Sequence, residues 1–237
     1  DFSFARPPAD RVKALGYSGG IGYISVAPSN PAKNWTRAEM EVYRAAELAT
    51  GIVWEMSATR PNGGKSAGLL DGWSANGCCR DLAYPTEATV LFAFDTNTVA
   101  ANIAAHEDYG RAAAGRCDHP FSAYGDLDIL SRLLDIMTIG WVPNAWSWSA
   151  SSRAELERKA DALAAAHVLQ RLGFALDGKW NVDPNVTIKP IELYGAPASP
   201  AAPPPQPTTT IGDDMALPII CNAQPLFDIA PKVGKFV

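Results

Sequence analysis

Two acids in this chain each stand at the end of a short apolar run. In Gly51-Ile-Val-Trp-Glu55-Met-Ser-Ala-Thr-Arg60-Pro the apolar stretch ends abruptly in a carboxylate, a hydroxyl pair and an arginine. Thr89-Val-Leu-Phe-Ala-Phe-Asp95-Thr-Asn97 repeats the design. Continuous apolar runs are the pattern of strands covered on both faces, and in parallel α/β architectures ligands bind beyond the carboxyl ends of such strands. Glu55 and Asp95 are therefore the first candidates for chemistry. Two carboxyls across one cleft suit glycosidic cleavage, in which a protonated acid meets the leaving oxygen while an ionised carboxylate works on the other side of the sugar. Glu55, beside Trp54, is expected as the general acid, because removal from water favours a protonated carboxyl. Asp95 is then the nucleophile or base. Arg60 is expected to steady a carboxylate or a substrate acid group, and Tyr124 to hydrogen-bond sugar hydroxyls. Trp146 and Trp148, read as alternate residues of a strand or strand pair, share one face; there they either stack on sugar rings or pack in the core.

Other chemistries lack their residues. Gly63-Gly-Lys-Ser66 resembles the end of a phosphate-binding loop, but Thr59 stands where its first glycine belongs. No G-x-S-x-G and no Cys beside a plausible His motif supports an esterase or amidase. His106, His119 and His167 show no metal-ligand spacing, and Cys78, Cys79, Cys117 and Cys221 form no C-x-x-C pair, so neither metal nor cofactor is expected. A bridge from Cys78 or Cys79 to Cys117 and buried free thiols are both open, which leaves the redox compartment undetermined. Of the two sequons, Asn34-Trp-Thr reads as a turn before a capping threonine and Asn185-Val-Thr as a turn asparagine.

The elements that must position these residues follow from the rest of the 237-residue chain. A 47% hydrophobic, 19% charged composition is that of a globular protein, and the length fits one (β/α)8 barrel plus a tail. The net charge of −5 argues against nucleic acid as a partner, and no apolar run approaches the roughly 18 residues of a membrane span. Strands are expected at the start of the chain, at 20–25, before Glu55, before Asp95, at 120–124, around 141–148 and at 167–170. Helices are expected at 9–15, 36–48 (capping box Thr36 and Glu39, with Trp35 stapled to Met40), 65–73 ended by Asn76-Gly77, 99–114, after Asp126 and from Ser152 to about 166. The helix after Asp126 carries an apolar stripe of Ile129, Leu130, Leu133, Leu134 and Met137. Val182-Asp-Pro-Asn185 reads as a loop. Strand and helix alternating in this way is the pattern of a closed parallel barrel.

The motifs Asp1-Phe-Ser, Tyr23-Ile-Ser25, Thr36-x-x-Glu39 with Tyr43-Arg44-Ala45, Val53-Trp-Glu55 with Ala58-Thr-Arg-Pro61, Phe92-Ala-Phe-Asp95, Tyr124-Gly125, Ala145-Trp146-Ser147, and Gln170 with Val182-Asp183-Pro-Asn185 occur in order over residues 1–195. Together they resemble the glycoside-hydrolase-like domain of unknown function found in actinobacterial secreted proteins and in lysins and tail proteins of their phages. The resemblance implies a lysozyme-related TIM-like barrel with Asp1, Glu55, Asp95 and Asp183 converging on a glycan site, Gln170 among its binding residues, and an extracellular or virion-associated setting. It also places an arginine where Gly22 stands and an acid where Asn97 stands. Asp1 as first residue implies a chain begun after processing or truncation.

Two functions are expected from this. One is a domain that hydrolyses cell-wall glycan, peptidoglycan or a related polysaccharide. The other is a non-catalytic carbohydrate-binding or structural module contacting the host surface, as decay at Asn97 would leave. After the 1–195 barrel, residues 196–214 hold a proline-rich run that reads as an extended linker. Residues 215–237 are apolar, interrupted by Pro218, Pro225 and Pro231, and too short for their own core. They read as a tether onto a phage tail protein or another copy of the chain, as a segment folded back on the barrel, or as the start of a further domain.

Overall fold

The computed structural model describes residues 6–26, 31–171, 173–176, 180–189, 191, 193–195 and 235–236. The first expected strand, with Asp1, and most of 196–237 lie outside these residues. In chain order the elements are α1 (Ala9–Ala14), β1 (Gly19–Ile24), α2 (Arg37–Ala45), β2 (Ala49–Trp54), α3 (Gly64–Asp81), β3 (Val90–Ala93), α4 (Ile103–Arg116), β4 (Phe121–Tyr124), α5 (Leu127–Arg132), β5 (Gly140–Val142), α6 (Arg153–Ala162) and β6 (Val168–Gln170). They continue with β7 (Phe174–Leu176), β8 (Trp180–Val182), β9 (Asn185–Thr187) and the two-residue β10 (Lys235–Phe236).

The class is mixed α/β. Strands β1 to β6 run parallel in sequence order and curl into a TIM-like sheet, and β9 adds to β6 as a seventh strand. The expected eightfold repetition of strand and helix stops after β6. No helix carries the chain back to the far end of the sheet; β7 and β8 pair with each other at the mouth, and β9 must therefore run antiparallel, with Asn185 opposite Gln170 and Thr187 opposite Val168. The 182–185 stretch, expected as a loop, is the junction of two strands. β10 pairs with Gly19 of β1 and with Asn185 and Val186 of β9.

Alternation of side chains divides the strands into two faces. Ile21, Val53, Leu91, Ala93, Trp141 and Val168 point inward and form one cluster with Ala49 and Leu193. Ile24, Ile52, Trp54, Val90, Phe92, Val142 and Leu169 point outward and join the helices in the larger core. Leu193 closes the base of the inner cluster, where Thr50 N–H donates to the Tyr194 carbonyl.

Helix starts follow their side chains. Thr36 and Glu39 form the expected reciprocal cap of α2, Asp126 accepts from Ile129 N–H, and Ser152 from Glu155 N–H. Glu155 reaches back to Ser151 rather than to the cap residue. α5 ends at Arg132, so Leu134 leaves the expected stripe and is exposed. Trp146–Trp148 is a 3-10 turn, not a strand, so strand alternation does not apply to its tryptophans.

α3 runs through Asn76-Gly77, the expected stop. Asn76 is accommodated because its amide bonds across to the end of α4: Nδ2 donates to Arg116 O at 3.2 Å and Oδ1 accepts from Asp118 N at 2.9 Å. The two helices meet backbone to backbone at Gly68 and Gly72, where an added Cβ would lie 2.2 Å from Tyr109 O and 2.6 Å from Ala113 O. Gly115 of α4, in contrast, has open space around it. Gly68→Ala is therefore expected to lower stability in urea unfolding by about 2 kcal/mol, as overpacking does. Gly115→Ala should be neutral or stabilising by up to about 1 kcal/mol, from helix propensity alone. Equal effects of the two substitutions would count against the close helix contact.

Candidate functional site at the mouth of the sheet

Inward parity continues past the strand ends. Glu55 lies two residues beyond the inward Val53, and Asp95 two beyond the inward Ala93. Tyr23, Tyr124 and Gln170 are the last inward residues of β1, β4 and β6, and Asp183 lies between β8 and β9 at the same end. The charges of Glu55, Asp95 and Asp183 all act on both Tyr23 and Tyr124, whose phenols are pushed well above their usual pKa first by burial and then by these neighbours. The structure thus gathers Glu55, Asp95, Asp183, Tyr124 and Gln170 of the expected residues around Tyr23. Asp1 lies outside the described residues.

The floor beneath them is apolar and tightly bonded. Trp141 is buried, sits edge-on to Tyr124 with ring centroids 4.6 Å apart, and donates its Nε1–H to Asn185 Oδ1 at 2.8 Å. Asn185, wholly buried, is fixed here rather than sitting in a turn. Gln170 Oε1 accepts from Asn144 N–H at 2.9 Å and from the Tyr124 hydroxyl at 3.4 Å.

The two principal acids differ in surroundings. Asp95 is pushed above the usual carboxylate range, first by burial and then by the charge of Glu55; Lys33 and the Tyr124 hydroxyl act in the opposite sense. Burial raises Asp183 as well. Glu55 is ion-paired to Lys33, with Nζ 2.9 Å from Oε2. The Lys33 ammonium also stands over the Tyr23 ring, 4.0 Å from its centroid. Sequence reasoning missed Lys33, which comes from a 3-10 turn (Pro31–Lys33) with no motif of its own.

Arg60 does not face the acids. It forks onto Asp71 of α3, with Nε 3.0 Å from both carboxylate oxygens and Nη2 2.6 Å from Oδ1. Tyr109 of α4 donates to the same carboxylate at 2.8 Å. A second polar network joins the loops after β2, β3 and β4. His106 Nε2 bonds Asn62 Oδ1 at 2.8 Å, its Nδ1 bonds the Thr98 hydroxyl at 3.1 Å, and Thr98 N–H donates to Asp126. Burial lowers the His106 pKa, which keeps the ring neutral within that network. Gly22 points outward, where a Cβ would lie 2.5 Å from Trp35 Nε1; a side chain here would meet Trp35 and not the mouth, so its small size removes no group from the site. Asn97 is exposed on the loop after β3. Trp146 is 40% exposed and Trp148 partly so, both on the loop that follows β5. Cys78, Cys79 and Cys117 are free thiols. Among the described residues no cluster of His, Cys, Asp and Glu is placed to hold a metal ion, and no helix is long and apolar enough to cross a membrane.

No protein-family model matches this chain, and no curated protein does. Its fold is similar to that of the Tat-secreted protein Rv2525c of Mycobacterium tuberculosis. The likeness to the L-tartrate complex has a TM-score of 0.66 at 19% identity over 80% of this chain and 94% of that one. For the HEPES complex the values are 0.63, 18%, 77% and 92%. An uncharacterized B. stearothermophilus protein is similar with a TM-score of 0.50 at 17% identity, covering 72% of this chain and 86% of its own. These likenesses establish the fold.

Folding raises the proton affinity of Asp95, so the native state holds this proton more tightly than the unfolded chain. The resulting stability is present below the unfolded carboxyl pKa and is lost as pH rises through the folded one. Asp95→Asn is therefore expected to stabilise the protein at neutral pH by about 1 kcal/mol, as relief of active-site strain commonly does. In thermal melts the gain should shrink as pH falls below the carboxyl range; a loss of stability at neutral pH would contradict the like-charge crowding.

Proposed function

We propose that this is an exported glycoside-hydrolase-like domain that cleaves a cell-wall polysaccharide, peptidoglycan or a related glycan. The observation that carries the reading is the unequal carboxyl pair at the mouth: Asp95 is held toward its protonated form, while Glu55 faces an ammonium. That asymmetry is what glycosidic cleavage uses. It also exchanges the roles expected from sequence. Asp95 is the general acid that protonates the leaving oxygen, and Glu55 is the carboxylate that attacks the anomeric carbon or activates a water. Asp183 supplies a further negative charge against the oxocarbenium-like transition state. The Tyr23 and Tyr124 hydroxyls lie where sugar hydroxyls would bond, and Trp146 offers an exposed ring for stacking.

The motif resemblance to actinobacterial secreted and phage proteins, and the fold shared with a Tat-secreted protein, support export. Within this reading, residues 196–214 are a spacer and 215–237 a tether to a phage tail protein or to another copy, with its end, Lys235–Phe236, anchored in the chain's own sheet. Removing residues 215–234, which keeps β10, should then abolish assembly with that partner in size-exclusion chromatography; unchanged assembly would defeat the tether. The second reading, a carbohydrate-binding module without turnover, draws on Asn97, which stands where the resemblance places an acid.

Release of reducing ends from actinobacterial cell wall separates the two readings. The wild type should show turnover, and Glu55→Gln and Asp95→Asn should each reduce kcat by at least about a thousandfold, the scale of losing one member of an acid–base pair. Activity should fall at alkaline pH as Asp95 loses its proton. Wall binding by the wild type without any turnover would select the module.

A further inference from the structure

Lys33 is not needed to build the sheet, yet its ammonium is held from two sides. Glu55 Oε2 lies 2.9 Å away, and the face of Tyr23 lies 4.0 Å from Nζ to centroid. The pair is largely withdrawn from water, with side-chain exposures of 26% for Lys33 and 14% for Glu55. An ion pair in such surroundings is directional and little screened by salt. The turn that carries Lys33 is itself anchored: Trp35 N–H donates to Tyr23 O at 2.8 Å, and Asn34 Nδ2 donates to Ser25 O at 2.8 Å. The ammonium is thus fixed to the end of β1, one strand away from Glu55 on β2.

Of the cations expected or found near the mouth, Arg60 is committed to Asp71 and Arg171 to Glu157. Among the described residues, Lys33 is the cation that pairs with Glu55 and acts on Asp95. The titratable groups it touches or acts on are Tyr23 on β1, Glu55 after β2 and Asp95 after β3; Tyr124 on β4 and Asp183 before β9 act in turn on Tyr23.

We propose that Lys33 is the positioning residue of the carboxyl pair: clamped between the Tyr23 ring and Glu55, it aims the Glu55 carboxylate into the mouth. This rests on the reading of Glu55 and Asp95 as an acid–base pair. Mechanistically, Lys33 touches no reacting atom. It holds the attacking carboxylate in one rotamer, and its charge limits how far Glu55 drives the Asp95 proton affinity upward.

The test compares the wild type with Lys33→Met, Lys33→Gln and Lys33→Arg. Carboxyl-resolved 13C NMR titration of Asp95 needs no substrate: in Lys33→Met its midpoint should move upward, and in Lys33→Arg it should return toward that of the wild type. Lys33→Gln keeps polarity without charge, one atom shorter, and reads the same shift should the methionine variant fold poorly. On cell-wall glycan, kcat should fall about a hundredfold with KM nearly unchanged, the effect of misplacing a reacting group, and the arginine variant should recover most of it. An Asp95 midpoint unmoved in both charge-removing variants overturns the role of Lys33. A moved midpoint in a protein whose wild type turns over no glycan keeps Lys33 in place and defeats the hydrolase reading instead.

Discussion

The mouth depends on one constraint, the two-residue alternation of side chains along a strand. Because Val53 and Ala93 face inward, any residue two positions further must face inward as well, and that residue is Glu55 on one strand and Asp95 on the next. The same parity sets Tyr23, Tyr124 and Gln170 at the top of their strands. A register slip of one residue would turn both acids into the helix layer, among the buried Trp54, Phe92 and Phe94.

Bringing three carboxyls together in a desolvated place is costly, and the surroundings show where the cost is offset. The base is rigid: Trp141, Asn185 and the inner aliphatics hold the strands against one another without polar atoms left over at the Trp141 ring nitrogen. The loops above are tied sideways by two polar networks that have no part in the chemistry, one through Asp71 and one through His106. Asp71 takes two partners, Arg60 from the loop after β2 and Tyr109 from α4, so the chain leaving Glu55 is fastened to the α3–α4 pair. That pair can serve as a fixed support because Gly68 and Gly72 let its backbones touch.

Much of the mouth was legible in the sequence because strand ends bear local signatures. An apolar run that stops at an acid reveals both the strand and the direction of its last side chain, which is why Glu55 and Asp95 stood out. Features made by distant residues were not legible. Asn76-Gly77 has the composition of a helix stop, and only its bonds to Arg116 and Asp118, some 40 residues away, explain why the helix continues. Trp146 and Trp148 alternate in sequence as strand residues do, but a turn claims them. Arg60 was expected to steady a carboxylate or a substrate acid group, and the carboxylate proves to be Asp71, eleven residues on, where no local pattern pointed to it. Lys33 carried no signal at all, since a lysine in a turn is ordinarily a solvated surface charge. The surroundings of the two acids were likewise set by neighbours from other elements, not by the run in which each sits.

The reversed β9 gives the molecule two unlike poles. It descends from the mouth at Asn185 to the base at Thr187, and the chain then crosses beneath the sheet through Leu193 to Gly195, which rests on Arg44 and the Leu48 carbonyl. Lys235 and Phe236 rejoin between β1 and β9, with Phe236 opposite Gly19 on one side and Asn185 on the other. The chain thus reaches Gly195 at the pole opposite the acids.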